Sequence, residues 1–263
     1  VVRLIKKWLH AGVLEDGRLT QSELGTVQGG SISPLLANIY LHYAFDLWVK
    51  QWRGRHAWGD VIVVRYADDW VAGFQFQDDA VRFQRAVSER LGQFGLKLHP
   101  DKTRLIEFGR FARENRRRRG QSKPQTFDFL GFTHCCGKTR KGKFTVLRLT
   151  SAKRLRAKLQ VVTIELRRRM HRPIKEQGQY LRAVVAGHGR YFGVPNNGAR
   201  LRVFRTQIGR LWHRTLCRRS QSHQLSWRRM QRVIAHWLPA LHICHPYPNQ
   251  RLIVTTQGRS RMR

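Results

Sequence analysis

Residues 63–74 read VVRYADDWVAGF, two aspartates, Asp68 and Asp69, set between two runs of strand-forming residues. Extended by a few residues on either side, the flanks are VIVVRYA (61–67) and WVAGFQF (70–76), rich in β-branched and aromatic side chains. With two residues between them they predict a tight antiparallel hairpin. Adjacent residues at a hairpin tip point to different sides, so a carboxylate pair there suits divalent cations held at a fixed distance from the sheet. Two cations so held stabilise the attacking and leaving oxygens of a phosphoryl transfer. Asp-Asp also makes turns readily, and the residues alone leave both readings open.

Upstream, residues 24–51 read LGTVQGGSISPLLANIYLHYAFDLWVKQ. A glycine-containing loop is followed by Ser33 and Pro34, the order of a helix N-cap and first turn. Leu36, Ile39, Tyr40, Tyr43 and Leu47 then recur at helical spacing. Downstream, Asp78 or Asp79 is placed to cap a helix whose apolar stripe is Phe83, Val87, Leu91 and Phe94, stopped by Gly95. LKLHPDKTRLIEF (96–108) predicts strand, turn, strand, and FDFLGF (127–132) opens another strand pair. From Thr150 the pattern is helical only, with stripes Leu155, Leu159, Val162, Leu166, Met170 and Leu201, Phe204, Ile208, Leu211, Thr215. Pro195, Asn196, Asn197 and Gly198 punctuate the gap between them. The expected class is α+β: an antiparallel sheet with helices over 1–148, then a helical domain over 149–263.

Charge narrows the function. Across 263 residues, 51 Lys and Arg face 16 Asp and Glu, a net charge of +35 that points to a polyanionic partner. Residues 129–263 hold 30 of the basic side chains and only two acids, Glu165 and Glu176. Basic residues flank the helical stripes there: Lys153, Arg154, Arg156, Lys158, Arg167, Arg168, Arg169, Arg218, Arg219, Arg228, Arg229 and Arg232. A solvated face normally mixes both signs, so these are candidate phosphate contacts. The helical spacing of Tyr191, Phe192, Trp212, Trp227 and Trp237 favours core packing over base stacking. The four cysteines form no paired-ligand spacing, and neither His134–Cys136 nor His242–His245 reads as a zinc site. No apolar run approaches the roughly 18 residues of a membrane span, so the expectation is a reduced, cytoplasmic protein with no membrane partner.

Tyr66-Ala67-Asp68-Asp69 is also the Tyr-x-Asp-Asp box of reverse transcriptases, and it stands among further blocks that resemble the same family in the same order. GTVQGGSISPLLANIYLHYAFDLW (25–48) resembles the nucleotide-pocket loop and its long helix, GLKLHPDKT (95–103) the block with a triphosphate-side lysine, and FDFLGF the primer-grip strand pair. The wording is most similar to bacterial group II intron reverse transcriptase/maturases. LRAVVAGHGRYFG (181–193) resembles their thumb or maturase helix, and WLPALHICHPYPNQRL (237–252) their tail. The resemblance implies a partial polymerase palm followed by a thumb and maturase (X) domain. It implies Asp68 as a Mg²⁺ ligand, or Mn²⁺ in its place, with Asp69 as partner. Gln28 and Gly29 would meet the incoming deoxynucleoside triphosphate beside Tyr66, Lys102 would offset its charge, and Leu130, Gly131 and Phe132 would seat the primer end. Implied partners are structured intron RNA, an RNA template and a DNA primer.

Two departures matter. Val27 stands where the family usually has proline, so the loop lacks that fixed φ. Family members also carry a third catalytic aspartate on an earlier strand; here the acids before Gly25 are Glu15, Asp16 and Glu23, in or beside GVLEDGRLTQSE, which reads as a turn and short hairpin. Asp60, at the start of the same strand as Tyr66, is too far from the tip to share a metal. Together with a first residue Val1, this gives the expectation of an N-terminally truncated chain with an incomplete centre and no oligomeric state readable from sequence. Two functions stay open: an RNA-directed DNA polymerase that also binds its intron RNA as a maturase, and a non-catalytic RNA-binding maturase remnant. A palm-type nucleotidyl cyclase would leave the basic helical half and the primer-grip block unexplained.

Overall fold

A computed structural model describes residues 2–9, 13–15, 18–20, 32–219 and 225–248. The chain divides into two compact units, residues 1–105 and 106–253, each with its own core. It is a mixture of helices with small antiparallel sheets, as the class predicts.

In the first unit, α1 (Val2–Leu9) precedes a short antiparallel hairpin of β1 (Val13–Glu15) and β2 (Arg18–Thr20), the hairpin expected at GVLEDGRLTQSE. Then α2 (Ser33–Leu41), one π-helical turn (His42–Asp46) and α3 (Leu47–His56) follow without interruption. Pro34 lies in the first turn as expected, while the N-cap falls on Ile32. The buried side of this helix corrects the sequence reading. Ala44, Phe45, Val49 and Trp52 are buried, whereas Ile39, Tyr40, Tyr43 and Leu47 are exposed. α2 itself buries no side chain, and the π turn inserts a residue into the repeat, so beyond it a stripe counted at 3.6 residues per turn no longer follows the core face.

The hairpin of β3 (Val61–Tyr66) and β4 (Asp69–Phe74) lays Val61, Val63, Trp70, Ala72 and Phe74 against that helix and α4 (Gln77–Gly92). In α4, Phe83, Val87 and Leu91 are buried as predicted, and Gly95, with φ of 67°, occupies the left-handed position after the helix. Asp79 does not cap this helix. It is fully buried, accepts hydrogen bonds from the backbone N–H of Trp58 (3.0 Å) and Gly59 (2.9 Å), and pairs with Arg82, so it fixes the α3–β3 loop. The strands expected at 96–108 do not form. Leu96 and Leu98 alternate into the core as an extended chain, but no strand among the described residues pairs with them, and His99–Thr103 is a turn.

The second unit begins with α5 (Ala112–Arg118) and a three-stranded antiparallel meander of β5 (Phe127–Phe129), β6 (Phe132–Lys138) and β7 (Phe144–Thr150). Here β7 leads directly into α6 (Ala152–Arg168), so the boundary expected between 148 and 149 falls within this unit. Then come α7 (Ile174–Phe192), α8 (Gly198–Cys217) and α9 (Trp227–Trp237). Their common core contains Leu155, Val162, Leu166, Phe204 and Ile208 of the two predicted stripes, together with Trp212.

Buried polar side chains tie these helices together. Gln177 donates to the carbonyls of Arg169 and Met170 at the end of α6 and accepts from Trp212 Nε1 at 2.8 Å. Asn197 accepts from Thr150 N–H and donates to Thr150 Oγ1 and Phe192 O. Replacing Asn197 by Ala strands all of these partners in the interior, and urea unfolding should show a loss of about 2–4 kcal/mol.

His188 is stacked on Phe204 with ring centroids 3.7 Å apart, and its Nε2 is buried without a partner among the described residues. Burial, aided by Lys158, lowers its pKa to about 4 from an ordinary 6.5. The unfolded chain therefore binds the proton first. The stability this residue allows is complete above pH 6.5 and is lost as pH falls toward 4. Comparing urea midpoints of the natural chain and His188→Leu across that range should show a steeper acid loss in the former.

Candidate active site

The β3–β4 register pairs Tyr66 with Asp69, so the two-residue loop is Ala67-Asp68 and Asp69 is the first residue of β4. This moves the tip one residue back from the Asp68–Asp69 position expected from sequence. Ala67 has φ of 53°. A positive φ at the first loop residue is the signature of the primed turns that match strand twist, normally supplied by glycine or asparagine. A β-carbon there costs on the order of 1 kcal/mol. Replacing Ala67 by Gly should therefore raise stability by about 0.5–1 kcal/mol in urea unfolding.

Asp68, Asp69 and Tyr66 are all exposed. Neither carboxylate makes a side-chain hydrogen bond or ion pair among the described residues, in contrast to Asp46 and Asp79. Along the outer face of the hairpin lie Ile62, Val64 and Tyr66, all exposed, with Asp69 cross-strand from Tyr66. The inner face ends in Arg65, whose guanidinium forks onto Asp46, with Nε to Oδ1 at 2.8 Å. That hydrogen bond holds the Asp46 carboxyl below the usual carboxylate range. Sequence reading passed over both residues. The available signal was that Asp46 is the single acid between Glu23 and Asp60, and that Arg65 interrupts an apolar strand.

Hard, anionic oxygen pairs on a rigid tip fit a Mg²⁺ or Mn²⁺ ion. Among the described residues no third His, Cys, Asp or Glu joins them. Asp60 lies at the far end of the hairpin, where its backbone exchanges hydrogen bonds with Gln75. Gln28 and Gly29 lie outside the described residues, as do Asp16 and Glu23. Lys102 is exposed on the His99–Thr103 turn of the same unit, and its ammonium makes no hydrogen bond or ion pair among the described residues.

In the second unit, Leu130 and Gly131 form the two-residue turn between β5 and β6, with φ of 49° and 78°. Positive φ at both positions defines a type I′ turn, and Leu130 is a bulky residue in a conformation that disfavours it. Tyr191 holds the turn by donating its hydroxyl to Leu130 O at 2.9 Å and stacking on Phe132; Ser151 N–H donates to Gly131 O. Ser151 and Thr133 hydroxyls also donate to Asp128, on the strand entering the turn. Tyr191 thus has a part in this turn, whereas Trp212 is fully buried in the helical core.

The basic side chains of α6–α9 divide into two groups. Lys153, Arg154, Lys158, Arg167, Arg218, Arg228, Arg229 and Arg232 are exposed, with no side-chain partner recorded among the described residues; Arg156 is exposed and reaches only its own helix at Ala152 O. Arg168 and Arg169 bond Glu165, and Arg169 also lies over the Tyr180 ring. Arg219 donates to the carbonyls of Met170 and Arg172, closing the exposed end of α6. Arg219→Ala should lower the urea midpoint by about 1–2 kcal/mol of stability, while Arg218→Ala should leave it within about 0.5 kcal/mol.

Cys244 and His245 of the tail serve the fold. Cys244 N–H and His245 N–H both donate to Gly193 O, and Cys244 Sγ and His245 Nε2 reach Gly189 O and Arg190 O at the end of α7. No helix among the described residues is long and apolar enough to cross a membrane.

Comparison with known proteins bears on the same stretch. Residues 2–134, half of the chain, match the family described as reverse transcriptase (RNA-dependent DNA polymerase). Forty residues are 58% identical to the group II intron-encoded protein LtrA of Lactococcus lactis subsp. cremoris, covering 15% of this chain and 7% of that protein. A 41-residue stretch is 51% identical to an uncharacterized 91 kDa protein in a cob intron of Schizosaccharomyces pombe, covering 16% of this chain and 5% of that one. The chain belongs to the reverse transcriptase family, and its likeness within it is to group II intron-encoded protein.

Proposed function

We propose that this chain carries the metal-binding hairpin of an RNA-directed DNA polymerase of a group II intron, and that its basic helical part binds the intron RNA as a maturase. The observation that supports it most directly is the pair of exposed carboxylates, unengaged among the described residues, at a strained two-residue turn within the residues that match the family. In this reading Asp68 is the principal ligand of a divalent cation, Mg²⁺ or Mn²⁺, and Asp69 the second ligand or electrostatic support. The cation supplies charge stabilisation to the attacking primer oxygen and the leaving diphosphate. Tyr66, cross-strand from Asp69 on the outer face, offers a platform for the nucleotide. Gln28 and Gly29, which lie outside the described residues, are proposed to contact it, and Lys102 to offset triphosphate charge. Leu130, Gly131 and Phe132 form the primer grip, held in shape by Tyr191.

Helices α6–α9 are proposed as thumb and maturase domain. Their exposed Lys and Arg contact phosphates in a sequence-independent, salt-sensitive manner. The scarcity of acids after residue 128, with Glu165 already engaged by two arginines, favours a polyanionic partner, which in this reading is RNA. A second reading, RNA binding without catalysis, is favoured by the absence of a third carboxylate at the tip among the described residues.

Primer extension on an RNA template with Mg²⁺ and deoxynucleoside triphosphates separates the two. The polymerase reading predicts template-dependent extension reduced by about a hundredfold or more in Asp68→Asn, a loss typical of removing a metal ligand's charge from the transition state. No extension by the natural chain, combined with tight RNA binding that weakens steeply with salt, would leave the maturase reading alone.

A further inference from the structure

We propose that Arg65, together with Asp46 and Asn38, is the positioning device of the Asp68–Asp69 tip, holding the strained turn that presents the Asp68 carboxylate to a cation. This rests on the reading of Asp68 and Asp69 as metal ligands. Arg65 is the one charged residue on the inner face of β3, where Val61 and Val63 pack into the core. Its side chain is only 14% exposed. Four hydrogen bonds fix it. Nε and Nη2 fork onto the two oxygens of Asp46, while Nη1 donates to Asn38 Oδ1 and to the carbonyl oxygen of Ala67, each at 2.9 Å.

That last bond is the informative one. Ala67 is the residue with positive φ, and its carbonyl belongs to the peptide that leads into Asp68. A peptide in a conformation that disfavours its side chain persists only where its surroundings over-determine it. Here a guanidinium locked to two helix residues supplies the constraint. Asn38 is itself oriented by donating to Pro34 O at 3.0 Å. Asp46 closes the π turn, a local widening often found beside functional sites. The turn also keeps Phe45 buried while Asp46 faces the strand.

The planar fork matters as much as the charge. A lysine ammonium cannot span a bidentate carboxylate, an amide oxygen and a backbone carbonyl together. Asp46 also neutralises the guanidinium that is bonded to the tip, so that Arg65 contributes geometry without repelling a cation.

The test measures Mn²⁺ binding by electron paramagnetic resonance on the full chain, hydrogen–deuterium exchange over residues 63–74, and thermal melting, in the natural chain and variants. Asp46→Asn, Arg65→Gln and Arg65→Lys should each weaken Mn²⁺ by about tenfold, the range seen when a partner of a metal ligand is removed. Exchange at the tip should rise while α4 stays protected. The double variant Asp46→Asn/Arg65→Gln removes both charges and should stay as weak as either single change. Recovery of Mn²⁺ affinity in the double variant would show a charge effect and overturn the positioning role. So would a lowered melting temperature with unchanged Mn²⁺ affinity in the folded protein. If the natural chain binds Mn²⁺ no better than Asp68→Asn, the metal reading itself fails; the brace is then overturned if tip exchange is also unchanged in Asp46→Asn, and upheld if it rises.

Discussion

The first unit is organised around one ring. Phe83, 1% exposed on α4, meets Trp52, Phe74, Trp48 and Trp70 with ring centroids 4.9–6.0 Å apart. Those partners come from α3 and from both ends of β4, so a single contact centre fixes the hairpin on two helices at once. Aromatic pairs of this kind contribute about 0.5–1.5 kcal/mol each beyond the area they bury. Because the inner face is committed to this cluster, the outer face and the tip are left to solvent. The same packing that stabilises the hairpin therefore presents Asp68 and Asp69.

Two hairpin tips in the molecule share one physical device. At Ala67-Asp68 and at Leu130-Gly131 the first loop residue is a non-glycine with positive φ. In both, the carbonyl oxygen of that residue accepts a hydrogen bond from a side chain, Arg65 in one and Tyr191 in the other. Natural sequences normally relieve such positions with glycine or asparagine, so strain retained and then braced marks a place where conformation is held for a purpose. These two turns are also the ones whose sequences resemble the catalytic box and primer grip of reverse transcriptases.

Much of this was legible in the residues. Runs of β-branched and aromatic residues gave β3 and β4, steps of three and four gave the buried face of α4 and the helical core of the second unit, and FDFLGF gave the strand pair of β5 and β6. The losses have distinct causes. The π turn at His42–Asp46 shifts the helical phase, which no fixed-period count detects, and the side chains buried from there on are Ala44, Phe45, Val49 and Trp52 instead of the spaced Tyr43 and Leu47. Leu96 and Leu98 have strand alternation without a strand to pair with among the described residues, and alternation carries no information about partners. Asp79 looked like a helix cap but serves a loop twenty residues earlier. The Arg65–Asp46 fork joins residues 19 apart through the geometry of a turn, and nothing local in the sequence encodes it.

The basic residues show why counting charge overstates a binding surface. Arg219 is spent on helix-end carbonyls, and Arg168 and Arg169 on Glu165. What remains is a set of exposed cations on helices with scarcely any acid beside them, a surface suited to phosphates. The central claim is nevertheless about the hairpin tip, and anomalous diffraction from crystals soaked in Mn²⁺ tests it most directly. The account predicts an anomalous peak within coordination distance of the Asp68 carboxylate that vanishes in Asp68→Asn crystals. Peaks confined to other acids, with none at Asp68, would contradict it.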